Sequence, residues 1–176
     1  MKKYQDFAVS LTGFVLYEIY RASIKVSGKI TRKYLIESLD NKDFDITRNQ
    51  ISKTFYNLKK SKYIIEESDS VILTGRAKIK IASEISSGIE MSGKIHLISF
   101  DIPELMRQNR DNFRRTLKRI GFVQVQKSLW ATNREVGELV EIAANEYKVD
   151  KYVAYFVADK TNIDAYLNKI LEREWL

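Results

Sequence analysis

Lys94-Ile95-His96-Leu97-Ile98-Ser99-Phe100 runs directly into Asp101-Ile102-Pro103-Glu104, and this junction decides the fold. The first seven residues are a β-prone run. Proline in a first helical turn, with glutamate just after it, starts a helix. That helix is expected to reach about Ile120, bury Met106, Phe113, Leu117 and Ile120, and end at Gly121. Its other faces carry Arg107, Arg110, Arg114, Arg115, Lys118 and Arg119. Phe122–Gln126 and Ser128–Ala131 read as two strands. Thr132-Asn133-Arg134-Glu135 reads as a capping box, opening a helix to about Tyr147 with Val136, Leu139, Val140 and Ala143 inward. Tyr152–Val157 reads as a fourth strand, and Thr161-Asn162-Ile163-Asp164 as the cap of a last helix ending near Trp175. The order βαββαβ is the ferredoxin-like pattern.

Upstream the pattern changes to helices. Residues 5–22 keep an apolar face at helical spacing through Phe7, Leu11, Phe14, Val15 and Tyr17–Ile19. Residues 31–40 read as a second helix capped by Thr31, with Tyr34, Leu35 and Leu39 inward, followed by a turn at Asn41–Asp45. Thr47-Arg48-Asn49-Gln50 is a capping box that opens a third helix to about Ser61. Ile51, Phe55 and Leu58 share one face of it. The opposite face carries Asn49, Lys53, Tyr56, Asn57 and Lys60, with Arg48 and Gln50 near the start, and no acidic residue. Amides pair with adenine edges, and cations bind guanine or phosphate. A solvated surface face is the plainer explanation, but such faces mix both signs of charge. Tyr63–Ile65 and Val71–Leu73 read as a hairpin linked by Glu66–Ser70, and Gly75–Ile85 as a helix. Three helices and a hairpin are the order of a winged helix–turn–helix, and the third helix is the one that would read DNA. The acidic hairpin tip, Glu66-Glu67-Ser68-Asp69-Ser70, would be repelled by phosphate. It is expected to be structural or to touch a basic surface of a partner subunit.

The 176 residues suit one domain or two small ones. Residues 1–88 hold 16 basic and 10 acidic side chains, and residues 89–176 hold 14 and 13. The charge shift coincides with a serine- and glycine-rich, loop-like stretch at Ser83–Gly93. Together they place a boundary near residue 88, with a DNA-binding domain at 1–88 and a ferredoxin-like dimerisation domain at 89–176. The absence of cysteine excludes disulfides, thiolate metal sites and cysteine nucleophiles. The single histidine, His96, excludes a histidine-rich metal site and is expected to pack within its strand. No apolar run approaches the roughly 18 residues of a membrane span, and no signal peptide is read, so a cytoplasmic location is expected. The net charge of +7 favours a polyanionic partner.

Asp101 admits two roles. At the end of a central strand it is placed as a metal ligand, although one carboxylate alone makes a poor magnesium site; a twofold dimer would bring a second Asp101. Alternatively it accepts from the free N–H groups at the helix start, with Glu104 reciprocating, and this capping role is preferred. The arginines of the helix are expected to pair with Glu135, Glu138, Glu141 and Glu146. No Ser-His-Asp set, phosphate loop or Walker-type lysine is present.

The run Phe100-Asp101-Ile102-Pro103-Glu104, then Arg107, Arg110, Arg114-Arg115, Leu117-Lys118, Gly121-Phe122 and Gln126-Lys127-Ser128-Leu129-Trp130, resembles the PaaX-type transcriptional repressors of phenylacetate catabolism. These join a winged helix–turn–helix to a domain similar to the small dimeric CRISPR-associated endonuclease of spacer acquisition. The first half matches in element order and in Leu73-Thr74-Gly75. The resemblance implies a homodimer built on the ferredoxin-like domain with two DNA-reading heads. In the endonuclease family, the aspartate matching Asp101 is the metal ligand. The chain is shorter than the repressors and is expected to lack their extra C-terminal part, which leaves the effector open.

The resulting expectation is a sequence-specific DNA-binding regulator, a repressor, acting as a homodimer on double-stranded DNA without a cofactor. Asn49, Lys53 and Asn57 would reach bases; Arg48, Tyr56 and Lys60 would hold phosphates. The alternative is a magnesium- or manganese-dependent nuclease, or a CRISPR adaptation subunit, using Asp101. A third reading is a DNA bridge without sequence preference.

Overall fold

The computed structural model describes residues 10–26, 29–40 and 46–173, the side chain of Arg173 excepted. Its contacts divide the chain into two compact units, Met1–Ile81 and Ala82–Leu176.

The first unit opens on α1 (Leu11–Lys25), where Ser10 accepts a hydrogen bond from the Gly13 N–H at 3.4 Å and caps the helix. Phe14, Val15, Leu16 and Ile19 are buried. The expected start at residue 5, and Phe7 with it, lie outside the described residues, and the helix continues past residue 22. Thr31 caps α2 (Arg32–Asp40) by accepting from the Tyr34 N–H at 3.1 Å. Leu35 and Leu39, one turn apart, face inward. Tyr34 does not: it stands about 100° around the helix from Leu35 and is 44% exposed. The expected turn Asn41–Asp45 lies outside the described residues.

The capping box forms as read. Thr47 accepts from the Gln50 N–H, the Gln50 carbonyl oxygen accepts from the Thr47 N–H at 2.8 Å, and α3 (Arg48–Lys60) follows. Ile51, Phe55 and Leu58 are buried, as is Thr54. The hairpin is tighter than expected. β1 (Ile64–Glu67) and β2 (Ser70–Leu73) pair from Ile64↔Leu73 to Glu67↔Ser70. The link is therefore Ser68-Asp69 alone. Both have positive φ, 47° and 67°, as a two-residue hairpin turn of the I′ kind requires. The expected helix over 75–85 is two helices, α4 (Gly75–Lys80), capped by Thr74, and α5 (Ala82–Ser87), interrupted at Ile81.

The second unit contains α5, β3 (Met91–Phe100), α6 (Arg107–Ile120), β4 (Val123–Gln124), β5 (Leu129–Arg134), α7 (Gly137–Glu146), β6 (Val153–Ala158) and α8 (Asp164–Arg173). The strands form one antiparallel sheet in the order β4-β5-β3-β6, the ferredoxin-type arrangement implied by βαββαβ. Alternate β3 residues His96, Ile98 and Phe100 are buried. Phe113, Leu117 and Ile120 of α6 are buried with them, and the Phe100 and Phe113 rings meet edge to face at 5.7 Å.

Three expectations are corrected here. The Ser83–Gly93 stretch is not a loop. It is mostly α5 and the start of β3, and the division falls between Ile81 and Ala82 rather than near residue 88. Buried Ser86 donates to the Ile120 carbonyl and so fastens α5 to the end of α6. Thr132-Asn133-Arg134 is not a helix cap either. It continues β5, with Thr132 fully buried opposite His96, and α7 starts later without a side-chain cap. Burial of Thr132 on the sheet overrides its capping propensity. Finally, a short 3₁₀ turn at Glu104–Met106 precedes α6, and Met106 is half-buried rather than buried. Gly121 ends α6 in the left-handed conformation, φ 97°, as read. Thr161 donates through its N–H and hydroxyl to Asp164 and introduces α8.

Candidate nucleic-acid interface and the Asp101 cleft

The α3 surface is built by its own apolar stripe. Once Ile51, Phe55 and Leu58 are inward, the helical period turns Arg48, Asn49, Gln50, Lys53, Tyr56, Asn57 and Lys60 outward, and all seven are exposed. They are not equivalent. The Arg48 guanidinium lies 2.7 Å from the Asp40 carboxylate at the end of α2. The Gln50 carbonyl is taken up by the capping box. Among the described residues, no hydrogen bond or ion pair engages the side chains of Asn49, Lys53, Tyr56, Asn57 or Lys60. These five form a face of two amides, two ammonium groups and a phenol without a carboxylate.

The hairpin tip is less acidic in effect than its sequence. Lys59, in the last turn of α3, pairs with Glu66, which leaves Glu67 and Asp69 as the exposed carboxylates. Lys29 donates to the Ser68 carbonyl at 3.2 Å, and the Val71 N–H to the Ile30 carbonyl at 2.7 Å. Sequence spacing shows neither the Asp40–Arg48 nor the Lys59–Glu66 pair, because each joins two elements.

In the second unit, Asp101 directly follows β3 and its N–H donates to the Tyr152 carbonyl at 3.1 Å. Its carboxylate is exposed and makes no cap: neither the 3₁₀ turn nor α6 has a side-chain cap bond. Glu104 does not reciprocate. It accepts from Arg110 at 2.9 Å, and Arg110 holds the Glu104 carboxyl below the usual glutamate range. The capping role preferred from sequence is therefore replaced. The residue before α6 is Met106, so Asp101 is too far upstream to reach the free N–H groups of its first turn.

A cleft of about 800 Å³ opens beside Asp101. Arg110 and Arg114 of α6, Lys127 from the β4–β5 connection and Lys151 from the turn before β6 line it with Asp101 and Glu104. Four arginines of α6, Arg107, Arg110, Arg114 and Arg115, have partners outside α7. Arg107 approaches Glu104 and Asp111 at 4.0 and 3.9 Å, and Arg115 donates to Asn112. Arg114 donates to the Lys127 carbonyl and lies 5.8 Å from the centre of the Phe100 ring. Glu104, in the 3₁₀ turn before α6, accounts for the partners of Arg107 and Arg110.

A divalent cation does not fit this chain's residues at Asp101. Among the described residues, no group of three or more histidines and carboxylates could hold a metal. The other carboxylate lining the cleft, Glu104, is taken by Arg110, and the remaining charged groups that line it are positive.

His96 packs in its strand, as read. Its two ring nitrogens lie 2.7 Å from the Ser92 hydroxyl and 2.5 Å from the Tyr155 hydroxyl. Burial lowers its pKa, Lys94 adds to that, and Glu135 opposes it.

A βαββαβ unit with this strand order defines a ferredoxin-type domain, here with a basic first helix and an aspartate just after its first strand. Residues 90–169 match the family described as the PaaX protein central Cas2-like domain. The second unit is thus similar to that family's central domain. No curated protein and no solved structure matches the chain. Among the described residues, no helix is long and apolar enough to cross a membrane.

Proposed function

We propose that the protein is a sequence-specific DNA-binding transcriptional regulator, a repressor, that works as a homodimer in the cytoplasm. One observation carries this reading. The exposed face of α3 offers Asn49, Lys53, Tyr56, Asn57 and Lys60 with no carboxylate among them, on the third of three helices that are followed by a hairpin. That element order supports a winged helix–turn–helix in the first unit, Met1–Ile81. In such a unit the third helix enters the major groove. Amide and ammonium groups there read base edges, and the remaining cations hold phosphates. The PaaX-like character of the second unit supports the regulatory role.

The dimer reading assigns the second unit, Ala82–Leu176, to dimerisation. β6 is an edge strand of six uncharged residues, with Phe156 and Val157 half-exposed, and such an edge invites pairing. The test is selection of genomic fragments by the purified protein at stated salt with EDTA present, because phosphate contacts alone bind tightly when salt is low. A few palindromic fragments are expected. Retention of all fragments alike would replace this reading with a DNA bridge lacking sequence preference.

A second reading, a magnesium- or manganese-dependent nuclease or adaptation subunit, draws on the exposed, uncapped carboxylate of Asp101. It requires ligands beyond this chain, such as a second Asp101 across a twofold axis. It predicts metal-dependent cleavage that Asp101→Ala abolishes with the fold intact. No cleavage with either metal across a pH series would remove it.

A further inference from the structure

We propose that the cleft beside Asp101 binds a small phosphoryl-bearing anion through Arg114, Lys127 and Lys151. The inference goes beyond the DNA-reading proposal and concerns residues of the second unit alone.

The charges in the cleft do not cancel. Arg110 and Glu104 neutralise each other at 2.9 Å. Arg114, Lys127 and Lys151 then face the single carboxylate of Asp101, an excess that matches a dianion and exceeds what one carboxylate ligand would supply. The three cations come from three separate elements, α6, the β4–β5 connection and the turn before β6. Convergence of that kind on one concavity is unlike a solvated helix face, where like charges lie along one element.

Two of the cations are held in place. Arg114 is fixed by its bond to the Lys127 carbonyl, and its buried Nε has no hydrogen-bond partner. Lys151 Nζ lies 5.0 Å from the centre of the Tyr152 ring. A guanidinium fork with two flanking ammonium groups suits the several oxygens of a phosphoryl group. The volume of about 800 Å³ falls in the range of small-molecule sites. Asp101, at the same cleft, would accept from a hydroxyl or amine of the ligand.

The experiment is calorimetric titration of the full chain with inorganic pyrophosphate in EDTA, so that no divalent ion bridges protein and ligand, at about 150 mM salt to screen loose surface attraction. One site per chain is expected. Lys127→Ala and Lys151→Ala, both at exposed positions that the fold does not need, should each weaken binding about three- to tenfold, roughly 0.7–1.4 kcal/mol. The double variant should weaken it by about the product. Lys160→Ala, an exposed lysine outside the cleft, should bind as the parent does. Absence of binding by the parent chain, equal binding by the double variant, or an equal loss in Lys160→Ala would overturn the site. Citrate binding as tightly as pyrophosphate would overturn the phosphoryl assignment.

Discussion

Asp40 Oδ2 lies 2.7 Å from both Nε and Nη2 of Arg48, so the last residue of α2 holds the first residue of α3. The pair is exposed and is worth at most about 1 kcal/mol to the fold. Its larger consequence falls on DNA binding, where the Asp40 carboxylate competes with phosphate for the same guanidinium. Asp40→Ala should tighten binding to all duplexes alike, about two- to fivefold, and steepen the salt dependence by less than about one counterion. Fluorescence anisotropy with a selected and a scrambled duplex at two salt concentrations reads both effects. Weaker binding to both duplexes would make the pair a device that positions α3.

The five unengaged side chains of α3 separate by kind. Asn49→Ala, Lys53→Ala and Asn57→Ala should each cost about 1–3 kcal/mol on the selected sequence and relax preference at one base position. Lys60→Ala and Tyr56→Phe should weaken all sequences equally, and Lys60→Ala should lower the salt slope by about one. If Asn49→Ala and Lys53→Ala leave specific binding unchanged, α3 is not the reading helix.

Ser86 gives a stability prediction free of DNA. Its hydroxyl donates to the Ile120 carbonyl in a buried setting. Ser86→Ala leaves that carbonyl without its partner, at a cost of about 1–3 kcal/mol. Urea unfolding should show a lower midpoint with an unchanged slope. An unaltered midpoint would mean that α5 does not depend on this bond.

The residues that sequence reading placed well are those whose role is set within one element. Thr47 and Gln50 cap α3 because the box is three residues long. Ile51, Phe55 and Leu58 are inward because the helical period fixes them, and Gly121 ends α6 because only a left-handed residue fits there. The misreadings involve partners far along the chain. Thr132 has the composition of a cap, but its place opposite His96 in the sheet buries it. Arg134 belongs to the same false cap; in the structure it donates to the carbonyls of Ser86 and Ile89. Ser86 reads as loop because serine is common in loops, and its acceptor lies on a different helix. At the candidate sites, the outward face of α3 was legible from its period. The engagement of Arg48 by Asp40 and the convergence of Lys127 and Lys151 beside Asp101 were not, because both depend on tertiary placement.

His96 links stability to pH with a definite sign. Its pKa is lowered below the ordinary 6.5 mainly by burial, with Lys94 in the same direction and Glu135 against it. The folded state therefore prefers the neutral ring, whereas the unfolded chain takes up a proton near the ordinary value. The contribution is complete above about pH 6.5 and is lost as the pH falls from there through the lowered value. The hydrogen bonds agree with this direction. A neutral ring donates on one nitrogen and accepts on the other, so one of the Ser92 and Tyr155 hydroxyls donates to it, and a protonated ring would force that hydroxyl to turn away. The decline in unfolding free energy between pH 7 and pH 5 should be smaller in His96→Gln than in the parent chain. Tyr155→Phe should cost about 0.5–1.5 kcal/mol at pH 7.5 by removing one of those bonds. An identical pH profile in His96→Gln would assign the acid sensitivity to the carboxylates instead.

Asp101→Asn decides between cation and anion at the end of β3, because the two readings predict opposite signs. A site for magnesium or manganese loses its charged ligand, so metal affinity and any cleavage should fall together. A phosphoryl-binding cleft loses its only unneutralised carboxylate, so pyrophosphate should bind more tightly, by about two- to fivefold if the carboxylate repels the ligand through solvent at an effective dielectric near that of a protein surface. The exposed carboxylate makes no cap bond, so the amide should leave the unfolding midpoint unchanged, and the two titrations can be compared on the same folded protein. The charges of Arg114, Lys127 and Lys151 favour the second outcome: tighter pyrophosphate binding with no gain in manganese affinity. Weaker pyrophosphate binding would instead mean that Asp101 contacts the ligand through a hydrogen bond whose strength depends on the full carboxylate charge.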